Sequence, residues 1–213
     1  FQYFNKELLS ESCCGALFGG GLNFGFGIKH GWKPLGKIRR VTKAAGNVIK
    51  EIDGLSAVKL YENYLGKDSM ELAKELRRIS IFYPIGVYLS GEKEYLLRNI
   101  ISIKDDGSLV TQGDVPPDSK IRLMIGTKDS CLTATADACK EAKINLGPQK
   151  EKFVMVFDSA SRFMLLGRQC ARELEIIKEA FGENTILIGI YTYGEQAPLK
   201  SINYLGHAYF HNQ

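Results

Sequence analysis

The sequence predicts an α+β protein, a layered sandwich of largely antiparallel β-sheets covered by a few helices. Two observations carry this. Short apolar runs bounded by turn residues fill much of positions 37–125, with pairs such as Gly46-Asn47 and Asp106-Gly107 placed to join neighbouring strands as hairpins. Apolar residues at helical spacing recur in a few separate stretches, near 57–79, 128–145 and 162–181.

In chain order, the first segment reads as the end of a helix followed by a β-meander. Gly15 to Gly27 is glycine-dense, and Phe24 and Phe26 alternate with Asn23, Gly25 and Gly27 at strand period. The run lacks the terminal Gly-Lys-Ser/Thr of a phosphate-binding loop. Lys37–Thr42 and Val48–Ile52 follow as strands ending at Asp53-Gly54. Ser56 is placed to cap a helix carrying Ala57, Leu60, Tyr61 and Tyr64, which Gly66 ends. Asp68-Ser69-Met70-Glu71 resembles a capping box opening a second helix, with Leu72, Leu76 and Ile79 inward. Strands are expected at Ile85–Leu89, Tyr95–Ile103, Leu109–Gln112 and Ile121–Ile125. Residues 128–145 read as a helix with Leu132, Ala136, Cys139 and Lys143 in register. Phe153–Phe157 is an apolar run expected as a central strand. Arg162–Phe181 carries the clearest helical stripe (Phe163, Leu166, Cys170, Leu174, Ile177, Phe181), stopped by Gly182. Ile186–Tyr191 and His207–His211 read as the last strands.

Composition narrows the function. A chain of 213 residues with 45% hydrophobic and 24% charged residues can bury a core as one large domain or two small ones. The net charge of +4 is spread along the chain, which describes a solvated surface and no nucleic-acid partner. No apolar stretch reaches the ~20 residues of a membrane span, and the start at Phe1 has no signal-peptide layout. The ends suggest a fragment of a longer protein. Cys13, Cys14, Cys131, Cys139 and Cys170 include no Cys-x-x-Cys pair, so neither structural zinc nor thioredoxin-like chemistry is expected. Cys131, Cys139 and Cys170 read as small buried apolar residues, and Cys13-Cys14 as a reduced pair at a helix-to-strand junction. A reducing cytoplasm fits.

The ordered segments Phe157-Asp158-Ser159-Ala160-Ser161-Arg162, Leu166-Gly167, Glu173, Gly189-Ile190-Tyr191-Thr192-Tyr193-Gly194-Glu195 and His211-Asn212 resemble the C-terminal half of the FIST family of sensory domains. Gly31-Trp32-Lys33-Pro34-Leu35-Gly36 and Val41-Thr42-Lys43-Ala44 resemble the close of that family's N-terminal half. The resemblance implies that residues 1–55 end one half and 57–213 form the other. It also implies a non-catalytic module that binds a small ligand, such as an amino acid, and feeds a signalling output domain elsewhere in the parent chain. Bacterial members sit upstream of such outputs, and eukaryotic members occur beside F-box segments. Ser159 stands where the family often has cysteine, and Ser161 where glycine is common, so no catalytic thiol is carried over.

The residues themselves suggest where a ligand would bind. Arg162, at the hand-over from strand to helix, can grip a carboxylate through two parallel hydrogen bonds, or it can pair with Glu173 or Glu195 to hold the fold. Glu195, after Tyr193 and the turn-permitting Gly194, can face an ammonium or satisfy backbone amides. Ser159 keeps a small polar group at the strand end. Glu173 lies at the edge of the apolar stripe, and His211-Asn212 can reach the Tyr193–Glu195 turn. Arg98, within an otherwise apolar strand, is a further candidate. His207 and His211 would stand ~13 Å apart on a strand, too far to share a metal, and no cofactor is expected. Two alternatives stay open: a protein-interaction scaffold, or a small-molecule hydrolase using Ser159 or Ser161 with His211. The sequence lacks the Gly-x-Ser-x-Gly elbow that many such hydrolases carry.

Overall fold

The first element is a small hairpin, β1 (Gln2–Phe4) against β2 (Glu7–Leu9), in place of the expected helix end. Asn5 makes the turn with a φ of 55°, a conformation its short polar side chain tolerates. The computed structural model describes residues 2–89 and 94–195.

An eight-stranded, wholly antiparallel sheet organises the next part of the chain. Its strands are β3 (Lys33–Ala45), β4 (Val48–Ile52), β5 (Leu55–Ser56), β6 (Ile85–Val87), β7 (Leu96–Arg98), β8 (Ile100–Ile103), β9 (Leu109–Thr111) and β10 (Lys120–Ile125). They lie in the order β7-β6-β10-β3-β4-β9-β8, with β5 also on β4. Strand β3 is longer than the sequence suggested because it pairs along its length with two partners, β10 near its start and β4 near its end. Gly46, with φ 56°, turns β3 into β4. Asp53 and Gly54 both have positive φ, 51° and 78°, the signature of a two-residue hairpin turn, so they join β4 to β5 where the sequence suggested only a strand end.

Three short helices, α1 (Lys59–Leu65), α2 (Ser69–Lys74) and α3 (Leu76–Phe82), lie over this sheet. Leu60, Tyr61, Leu72 and Ile79 pack onto Val41, Ile49, Leu109, Ile121 and Leu123 in one buried cluster. The Asp68–Glu71 capping box forms as expected, with both reciprocal bonds present. Ser56 does not cap α1. It belongs to β5 and donates to the carbonyl of Asp106 at 3.3 Å.

The C-terminal part combines α4 (Lys128–Leu146), β11 (Phe153–Ser159), α5 (Ala160–Leu166), α6 (Cys170–Phe181) and β12 (Ile186–Thr192). Two departures from the sequence reading matter here. The single helix expected over 162–181 is split, because Gly167 adopts φ 55° and a short 3-10 turn follows it. Strands β11 and β12 pair with each other in parallel, the one parallel pairing among the described residues, as a strand–helix–strand crossover requires. This pair is also not central. Its register places Phe153 beside Ile186, Met155 beside Ile188 and Phe157 beside Ile190, and all six side chains are exposed. The opposite face, carrying Val154 and Val156, is half-buried. Both faces of a parallel sheet are normally covered.

Residues 10–32 run without helix or strand, so the Phe24–Phe26 alternation is not a strand and Cys13-Cys14 lie exposed in irregular chain. The glycines serve a close approach instead. A Cβ on Gly25 would stand 2.1 Å from the Ala142 carbonyl oxygen, and one on Gly27 would stand 1.9 Å from that of Ala138. The segment is thus laid directly on α4, where Glu141 accepts from Ile28 N at 3.4 Å and Lys29 Nζ at 2.8 Å. Asn145 donates to the Phe26 carbonyl at 2.7 Å. Packing on this segment and on α6 also sets the buried face of α4. That face carries Cys131, Ala134, Thr135 and Cys139, while Ala136 of the expected stripe is exposed. Cys170 is half-buried.

Candidate ligand-binding site

Arg162 and Asp158 are four residues apart across the junction of β11 and α5, which puts Arg162 Nε 3.0 Å from Asp158 Oδ1. The guanidinium then points into the core. Nη1 donates to the His30 carbonyl at 2.8 Å, and Nη2 donates to the Cys131 carbonyl at 3.0 Å and to Thr135 Oγ1 at 2.7 Å. Nη2 also pairs with Glu173 Oε1, to which Thr135 Oγ1 donates at 2.6 Å. Arg162 is 5% exposed and Glu173 4% exposed. Of the two pairings open to Arg162 from the sequence, the structure makes the one with Glu173 and adds Asp158, with no ion pair to Glu195.

Two carboxyl groups beside one guanidinium cannot both ionise cheaply. Burial, reinforced by the adjacent Glu173, pushes Asp158 up to about 7 against the pull of Arg162. Burial also acts to raise Glu173, but Arg162 and the hydrogen bonds from Asp158 and Thr135 overcome it and hold that carboxyl low. Glu173 Oε2 has no N–H or hydroxyl partner. When protonated, Asp158 donates to Glu173, and in that state the cluster carries one cation, one anion and one shared proton.

Ser159 is buried, and its Oγ accepts from Ser161 N at 3.1 Å, capping α5. Thr192 ends β12 directly beside Ser159. Its hydroxyl donates to the Asp158 carbonyl at 3.2 Å and meets the Glu195 carboxylate. Glu195 is half-buried, and burial raises its carboxyl in spite of the Thr192 hydrogen bond. Tyr193 exposes its ring, while its carbonyl accepts from Gln112 Nε2 at 2.7 Å. This contact joins the parallel pair to the main sheet. Gln112 is also bound by Asn99 Nδ2 at 3.4 Å. Neighbouring Arg98, buried in β7, donates from Nε to the Asp114 carbonyl and from Nη1 to the Leu97 carbonyl, both at 3.0 Å. Burial lowers the Arg98 pKa, partly offset by the charge of Asp114.

The structure therefore gathers the expected residues into two adjoining groups. Arg162, Glu173 and Ser159 form a sealed network below the ends of β11 and β12. Tyr193 and Arg98 each bond to the short loop 112–114, and Glu195 bonds to Thr192 at the end of β12. His211 and Asn212 lie outside the described residues, as does His207. Sequence reasoning missed Asp158, Thr135, His30 and Gln112 as parts of these groups. Only Asp158 carried a signal: an acid at the end of an apolar strand, four residues before an arginine. No group of three or more His, Cys, Asp or Glu suited to a metal occurs among the described residues.

A model described as the FIST N domain matches residues 1–55, and one described as the FIST C domain matches residues 57–198. An uncharacterised protein of Methanocaldococcus jannaschii is 28% identical over 153 residues, 67% of this chain and 30% of that protein. The chain thus spans under a third of that relative's length. No solved structure matches the chain.

Proposed function

Starting from the fact that this chain belongs to the FIST family, whose domains are associated with sensory signal transduction, we propose that it is the ligand-binding part of a signalling protein. The ligand is a small molecule with the charges of an amino acid, bound without turnover in the cytoplasm, and its occupancy is passed to an output domain of the parent protein. No helix among the described residues is long and apolar enough to cross a membrane.

One observation carries this reading. Arg98 is a buried guanidinium held by the backbone carbonyls of Leu97 and Asp114, and Glu195 is a half-buried carboxylate with no cationic partner among the described residues. Arg98 bonds to the loop 112–114 at Asp114, and Tyr193, two residues before Glu195, bonds to it at Gln112. A ligand carboxylate would add to the charge of Asp114 on the first, and an ammonium would neutralise the second. Arg162, with its donors directed to protein acceptors, supports the floor of this site.

Thermal-shift screening against amino acids and small carboxylates tests it. A compound at a hundredfold excess over its dissociation constant stabilises the native state by about 2.7 kcal/mol. At least one hit is expected, reduced in Glu195→Gln and in Arg98→Lys. A hit unchanged in both places the ligand elsewhere, and turnover of the hit favours a hydrolase. The exposed apolar face of β11 and β12 favours a second reading, an interaction scaffold.

A further inference from the structure

The second site candidate lies away from those residues, on the outer side of α2 and α3. A shallow, open groove of about 470 Å³ lies between these helices and α5. Lys74, the last residue of α2, and Arg77 and Arg78, in the first turn of α3, line it. Glu75, the one acid lining the groove among the described residues, is paired with Lys67. Lys74 and Arg77 make no ion pair among the described residues, and Arg78 stacks 5.9 Å from the Phe82 ring centroid. Ile81, Phe82 and the half-exposed Met164 form an apolar floor.

Three cations over an apolar floor are complementary to a molecule with an anionic head and an apolar body. Inorganic anions would leave the floor wet, and neutral apolar molecules would leave the cations without counter-charge. We propose that this groove binds an amphiphilic organic anion, a carboxylate or phosphate monoester on an aliphatic chain. The proposal is independent of the function suggested above.

The molecule contains its own reporter. Trp32 is the single tryptophan, it is buried beside Ile81, and its Nε1 donates to the Ile81 carbonyl at 2.9 Å. Ligand seated on Ile81 is expected to change its emission. Octanoate, octyl phosphate, octylamine and inorganic phosphate are titrated against the whole chain. Saturable Trp32 responses to octanoate or octyl phosphate are expected, whichever head group is preferred, with at least tenfold weaker response to octylamine and to inorganic phosphate. Arg77→Glu combined with Lys74→Glu should weaken binding at least tenfold, and Met164→Gln severalfold, with the far-ultraviolet circular dichroism unchanged. Glu195→Gln should leave this binding intact, which separates the groove from the site beside loop 112–114. Equal binding of octylamine and octanoate, no saturable response to either anion, or anion binding indifferent to the charge reversal would each overturn the proposal.

Discussion

Arg162 and Glu173 stand on opposite sides of a helix break yet share one ion pair, with the hydroxyl of Thr135 bonded to both. The break at Gly167 makes this possible. A continuous helix would carry residue 173 about three turns beyond residue 162, out of reach of the guanidinium. Removing one partner from such a buried pair leaves a charge without compensation, at a cost of about 3–5 kcal/mol. Arg162→Ala is expected to lower stability by that amount in urea denaturation and Glu173→Ala by less, because Asp158 remains beside Arg162 to ionise, whereas a double replacement by apolar residues should cost much less than the sum.

The shared proton makes stability pH-dependent. Asp158 is raised from the ordinary carboxylate range to about 7 in the folded protein, so between roughly pH 4 and 7 the native state holds a proton that the unfolded chain has released. Stability from this group is therefore full below its unfolded pKa and lost as pH rises toward 7. Asp158→Asn keeps a donor for Glu173 and an acceptor for Arg162 without titrating. Its melting temperature should be flatter than that of the parent over this window and equal or higher at pH 8.

The contact between the N-terminal segment and α4 permits no added carbon. Gly27→Ala would set a methyl 1.9 Å from the Ala138 carbonyl oxygen, and overpacking of this kind costs about 1–3 kcal/mol. Limited proteolysis should then cut within residues 10–32 at least severalfold faster, while the parent segment resists.

The six-residue apolar face of β11 and β12 should bind a hydrophobic dye and promote self-association. Phe157→Ser with Ile190→Ser, both exposed, is expected to reduce dye fluorescence severalfold with a melting temperature within a few degrees of the parent. Undiminished dye binding would show that the apolar surface lies elsewhere.

Local signals were read well where local chemistry decides. The Asp68–Glu71 box, the positive-φ glycine stops at Gly66 and Gly182, and strands β4 and β10 follow from nearest neighbours alone. Non-local pairing was harder to see. The extra length of β3 depends on β10, some eighty residues away, and the helix break at Gly167 depends on where Glu173 must arrive. In the site, the charges of Arg162, Glu173 and Glu195 were visible in the sequence. The division of labour among them was not, because Thr135 and the Cys131 carbonyl reach Arg162 only once α4 and α5 are packed together.

The strap of residues 25–32 along α4 sets an order of events during synthesis. Ile28 bonds to a glutamate 113 residues further on, so its docking surface does not exist when it leaves the ribosome. At about 5–20 residues per second, it waits on the order of ten seconds for α4 to be made. Throughout that interval the apolar, glycine-rich stretch has no native partner, and a chaperone that shields it would act before the C-terminal half of the chain has been synthesised.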